Sequence, residues 1–90
     1  MVLNRLDYII LCILKKQNAT SHFKGITLNE IMDIESTSAK VTMRKRIKTL
    51  IDNDYISKGV KDDKADTFHI TNKGIQLIKE DDEKGAIINA

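Results

Sequence analysis

Apolar side chains recur along this chain at helical steps, then at alternate positions, then at helical steps again. From Leu3 to about Lys16 the string LNRLDYIILCILKK predicts a first helix whose inward face is Leu3, Leu6, Ile10, Ile13 and Leu14. Tyr8, Leu11 and Cys12 fall on roughly the opposite side, so the helix is apolar over more of its circumference than one small core requires. A second cover is therefore expected, either the C-terminal segment folding back or a second copy of the chain in a symmetric dimer, and the two are compatible. The dimer reading assigns Tyr8, Leu11, Ile87 and Ile88 to the contact.

A polar connection, Asn18 to Gly25, leads to a short strand at Gly25-Ile26-Thr27. Thr27-Leu28-Asn29-Glu30 has the form of a capping box and starts a helix of about two turns carrying Leu28, Ile31, Met32 and Ile34. Only Glu35-Ser36-Thr37 separates it from a longer helical run, Ser36 to Asn53, with Met43, Ile47, Leu50 and Ile51 on its buried face and a Ser or Thr expected as N-cap. Two helices joined so tightly make a helix-turn-helix. Alternation then predicts strands at Ile56–Val60 and Thr67–Ile70 around the polar turn Lys61–Asp66, with Phe68 and Ile70 inward and His69 outward. A last helix, capped by Thr71 or Asn72, contains Ile75–Glu80 and leads into the acidic cluster Glu80–Glu83. The expected architecture is α+β, mainly α: one domain over 1–90, with a helix-turn-helix at about 27–53, a two-stranded β-hairpin wing at about 56–70 and a C-terminal helix at about 72–84.

Charge changes this picture from a fold to a function. Lys40, Arg44, Lys45, Arg46 and Lys48 put five positive charges between Thr37 and Ile51, with no Asp or Glu there. The whole chain has a net charge of only +2, so the remainder sums to −3. A helix that merely stays solvated usually intersperses acids four residues from its lysines. Hydroxyl-bearing residues at the start of this one, followed by Lys and Arg, suit a helix whose first turns meet base edges and whose flanks meet phosphates.

Composition excludes several other activities. Aromatic residues are 4% with no Trp, which argues against a stacking platform for single strands. Cys12 is the one cysteine, so no internal disulfide forms, and its apolar neighbours make it a packing residue. Asn18-Ala19-Thr20 is a chance sequon in a chain expected to be cytoplasmic: its longest apolar run, Tyr8 to Leu14, is too short to span a bilayer, and Asn4, Arg5 and Asp7 interrupt a signal peptide. No Gly-rich phosphate loop and no metal-spaced Cys or His cluster occurs, His22 and His69 are far apart, and the adjacent Asp81, Asp82 and Glu83 suit solvation rather than acid–base work. An enzyme, a cofactor and a metal site are not expected.

The order of elements is that of the winged helix-turn-helix superfamily. The segment SAKVTMRKRIKTLIDNDYISKG, from Ser38 through Leu50 to Gly59, resembles the recognition helix and first wing strand of bacterial MarR-like and PadR-like regulators. Phe68-His69-Ile70-Thr71-Asn72-Lys73-Gly74 resembles their second wing strand and the Thr-x-x-Gly start of the next helix, and the likeness covers roughly Leu3 to Lys79. The resemblance implies that Ser38, Lys40, Val41, Thr42, Arg44 and Lys45 meet the major groove and that the wing lysines Lys58, Lys61 and Lys64 touch DNA; helical spacing adds Lys48 on the same exposed side, and Thr37 is added at the start of the helix. Asp62, Asp63 and Asp66 offset those wing lysines, so the recognition helix is expected to carry most of the affinity.

The expected activity is sequence-specific binding of double-stranded DNA by a homodimer, with Thr37 and Ser38 amides offered to a phosphate and recognition helices about 34 Å apart. Three uses compete. A transcription regulator leads, with polymerase as the protein partner affected. A chain without an appended effector region also resembles TubR-type centromere-binding proteins of plasmid or phage segregation systems, whose partner is a filament. A pure protein-interaction module is the third.

Overall fold

The computed structural model describes residues 3–83 and, from residue 80 on, the backbone alone. Helix α1 (Arg5–Lys16) is followed by β1 (Ile26–Thr27), α2 (Leu28–Ile34), α3 (Lys40–Asp52), β2 (Ile56–Lys58), β3 (Thr67–Ile70) and α4 (Asn72–Glu83). The strands form one antiparallel sheet in the order β1-β3-β2, with Ile26 opposite Phe68 and Ile56 opposite Ile70. This is a winged helix-turn-helix, mainly helical, with β2 and β3 as the wing.

Local chemistry accounts for most element boundaries. Asn4 and Asp7 cap α1 reciprocally, each side chain accepting the other's backbone N–H at 2.9 Å. Thr27 and Glu30 do the same for α2, at 3.1 and 3.2 Å. Helices α1 and α3 end alike: Ala19 N–H reaches Leu14 O at 2.8 Å and Tyr55 N–H reaches Leu50 O at 2.9 Å, with Asn18 and Asp54 left-handed at φ 59° and 67°. At the start of α4, Thr71 Oγ1 accepts Gly74 N–H and donates to Asp54 O, which ties the helix to the end of α3. A Cβ on Gly74 would stand 2.5 Å from Tyr55 O and 2.7 Å from the Ile70 side chain, so the Thr-x-x-Gly string is what allows α4 to lie against Tyr55 and β3.

The core is built around α1. Ile10, Leu11 and Leu14 are wholly buried, and they gather Ile31 from α2, Met43, Ile47 and Leu50 from α3, Ile56, Phe68 and Ile70 from the sheet, and Ile78 from α4. The expectation that Leu11 faces a second copy is therefore overturned. A side chain with no exposed surface in one chain offers nothing to a partner, because α2, α3, the sheet and α4 surround α1. Tyr8 is half-buried; Ile87 and Ile88 lie outside the described residues. The wing tip closes through mutual backbone bonds between Asp62 and Ala65, with Asp63 at φ 58°, a conformation Asp tolerates better than most residues.

Candidate nucleic-acid interface

Helix α3 presents two exposed edges. Its apolar face, Met43, Ile47 and Leu50, is committed to the core, which leaves Lys40, Arg44 and Lys48 along one edge and Val41, Thr42 and Lys45 along the next. All six are exposed. Along the first edge each cation follows the last by four residues, about 6 Å of helix rise. That step is comparable to the one between successive phosphates of a DNA strand.

The first edge forms one wall of a groove of about 670 Å³ between α3 and the wing. Lys58 and Lys64 line the opposite wall, Ile47, Ile51 and Phe68 contribute an apolar floor, and Thr27, Leu28 and Asn29 close one end. Thus five of the expected DNA-contacting residues, Lys40, Arg44, Lys48, Lys58 and Lys64, are brought together. Lys45, Val41, Thr42, Thr37, Ser38 and Lys61 lie outside the groove lining.

Not every cation is free. Lys48 Nζ stands 3.5 Å from Asp52, and Asp66 sits between Lys58 at 3.5 Å and Lys61 at 4.0 Å. These exposed pairs are each worth at most about 1 kcal/mol and exchange readily for phosphate. Lys40, Arg44, Lys45 and Lys64 have no ion pair or side-chain hydrogen bond among the described residues. On α3 and the wing they are the uncommitted positive charge.

The turn into α3 departs from expectation. The helix begins at Lys40 with Ala39 as N-cap, and no side chain caps it. Thr37 is unavailable because Glu35 accepts both its N–H, at 2.9 Å, and its hydroxyl. Those two donors hold the Glu35 carboxyl below its ordinary range, the hydroxyl contributing most. Ser38 is only partly exposed. The Thr37 amide is therefore already paired, and the amides preceding the first helical bond, from Met43 N–H to Ala39 O at 3.0 Å, belong to Lys40, Val41 and Thr42.

Arg46 differs from the other α3 cations. Its Nε and Nη2 donate to the two carboxylate oxygens of Asp7 at 2.6 and 2.5 Å, a bidentate pair with Asp7 fully buried. Asp7 raises the Arg46 pKa further above its ordinary value. One of the five charges counted on this helix is thus committed to α1, although 26% of its side chain stays exposed. The pair spans 39 residues, and no local spacing announces it. The Lys48–Asp52 pair was legible as an i,i+4 spacing one residue beyond the acid-free run.

On the outer face of the sheet, His69 does turn away from the core, but the α1–β1 connection covers it. His22 O accepts Val60 N–H at 3.0 Å, the His22 and His69 rings meet edge to face at 6.3 Å, and His69 Nδ1 is buried without a partner. His22 thus seals the outer face of the sheet. Beside it Phe23 is 85% exposed.

Among the described residues no group of three or more His, Cys, Asp or Glu could hold a metal ion, and no helix is long and apolar enough to cross a membrane. No protein-family profile matches the chain. The DNA-binding protein TubR of Clostridium botulinum C phage is 33% identical over 79 residues, which span 88% of this chain and 96% of that protein. Among solved structures, TubR from Bacillus megaterium pBM400 superimposes with a TM-score of 0.77 at 26% identity, covering 86% of this chain and 83% of its own. The solution structure of the DNA-binding TubR fragment from Clostridium botulinum gives 0.69 at 32% identity, covering 89% and 98%.

Proposed function

Because this chain belongs to the TubR family of DNA-binding proteins, we propose that it binds double-stranded DNA as a homodimer and serves as the DNA-tethering component of a segregation system. The observation that carries the reading is the uncommitted positive charge of Lys40, Arg44, Lys45 and Lys64 around the α3–wing groove, in a chain whose other charges nearly cancel. Its relatives are DNA-binding proteins, in keeping with a chain that is not an enzyme.

In this reading the groove edge of α3 and the wing take the backbone of one strand. Lys40, Arg44 and Lys48 meet phosphates from the helix side, while Lys58 and Lys64 meet them from the wing. The outer edge, Val41, Thr42 and Lys45, is left to meet base edges in the major groove. Lys61 and Ser38 play minor parts, and Thr37 shapes the turn rather than touching DNA.

What favours tethering over an operator-bound repressor is that the relatives are TubR proteins, one from a phage and one from pBM400, in line with the resemblance of the sequence to TubR-type centromere-binding proteins. The protein partner in this reading is a segregation filament rather than polymerase. The test is fluorescence anisotropy on duplexes tiled across the protein's gene neighbourhood, against random duplex, at about 50 and 200 mM salt. Tight, salt-sensitive binding to a tile holding several repeats supports tethering; binding to a single inverted repeat favours an operator. Lys45→Ala should weaken binding to the preferred tile by about tenfold, in the range of one base-reading contact. Absence of salt-dependent binding to any duplex would leave a protein-interaction module.

A further inference from the structure

We infer that Asp7 is a positioning residue for DNA recognition: acting through Arg46, it fixes the rotation of α3 about its own axis. The inference rests on α3 being the helix that meets DNA. The apolar contacts of Met43, Ile47 and Leu50 hold α3 against the core, but such contacts are non-directional. A rotation of about 10° would move a surface atom 5–6 Å from the helix axis by about 1 Å. Hydrogen bonds to base edges tolerate only a few tenths of an ångström. Something directional is needed at the middle of the helix.

The Asp7–Arg46 pair supplies it. The planar guanidinium engages both carboxylate oxygens through Nε and Nη2, which fixes its plane as well as its distance. The carboxylate cannot follow α3, because Asp7 Oδ2 also accepts Asn4 N–H and the Asp7 N–H is bound to Asn4 Oδ1. Arg46 directly follows Lys45, so the anchored residue and the proposed base reader are neighbours on the helix. A buried ion pair is weak evidence for stability, since apolar residues of similar volume often replace one without loss. Orientation is the property such a replacement gives up.

The full-length protein carrying Asp7→Leu together with Arg46→Met separates the two roles. Its unfolding midpoint should equal or exceed that of the wild type, and its affinity for random duplex should stay within about twofold. Its affinity for the tile that wild type prefers should fall about tenfold, because base contacts carry the discrimination and phosphate contacts do not. The salt slope should be unchanged, whereas Arg44→Met lowers its magnitude by about one per protomer. A stable double variant with wild-type discrimination would overturn the inference, and so would a salt slope reduced as by Arg44→Met, which would make Arg46 a phosphate contact. If the double variant fails to fold, Arg46→Lys decides the matter: it keeps the charge and loses the fork, and undiminished discrimination there also rejects the role. Failure of the wild type to bind any duplex would remove the underlying DNA reading.

Discussion

Val41 is 65% exposed at the start of an otherwise polar helix edge. A β-branched apolar residue there gains nothing from water, and the proposed orientation gives it one natural counterpart, the C5-methyl group of thymine. Burying one such group contributes about 0.8 kcal/mol, or roughly fourfold in affinity. Replacing thymines of the preferred tile one at a time with deoxyuridine should reveal one or two positions where wild-type binding falls by about fourfold. Val41→Ala should be insensitive at those same positions; equal sensitivity in both proteins would remove Val41 from the base-reading edge. At this scale the sequence was a good guide to type and a poor one to orientation. The buried face of α3 followed from helical spacing, because Met43, Ile47 and Leu50 left the core little choice. Arg46 lies among four cations of identical apparent role, and only its distant partner distinguishes it.

Elements were legible where their determinants were local. The Thr27–Glu30 box and the Thr71–Gly74 start act within four residues, and both do what their spacing implies. The start of α3 misled because Ser36, Thr37 and Ser38 all look like caps, while Glu35 draws Thr37 into the turn and leaves Ala39 at the boundary. The end of α3 yields a stability prediction. Asp54 holds φ 67°, where a Cβ without a compensating polar side chain costs about 1 kcal/mol. Asp54→Ala should lower the unfolding midpoint by about 4–8 °C, whereas Asp54→Gly should not lower it. The sheet yields another. Burial, and secondarily the neighbouring His22, pushes the His69 pKa below its ordinary value near 6.5. The unfolded chain thus binds a proton on His69 before the folded chain does, so stability falls as pH drops below about 6.5 and stops falling once the folded-state pKa is passed. Between pH 7.5 and 5.5 the unfolding midpoint of the wild type should drop further than that of His69→Leu. Parallel curves would mean that protonation of His69 does not open the cover formed by His22.

For the whole molecule, the burial of Leu11 and the distribution of free charge lead to a joint expectation. Helix α1 is enclosed by its own chain, so a dimer must form without Leu11, and Leu11→Glu should abolish cooperative unfolding rather than yield a folded monomer. Two protomers are nonetheless required by the proposed mode of binding, in which each recognition helix enters the major groove about one turn, roughly 34 Å, from the other. The five cations assigned to phosphates set what this predicts for salt. With Lys40, Arg44, Lys48, Lys58 and Lys64 each neutralising one phosphate, the slope of log K against log salt is about −4.5 for one protomer and about −9 for two. Sedimentation should accordingly give twice the chain's 10.2 kDa under conditions where the slope exceeds about 7 in magnitude. A 10.2 kDa species that retains the steeper slope would show that a single protomer covers a longer stretch of backbone than its groove cations account for. A monomer with the shallower slope would remove the homodimer from the proposal while leaving the helix-and-wing groove as the DNA surface.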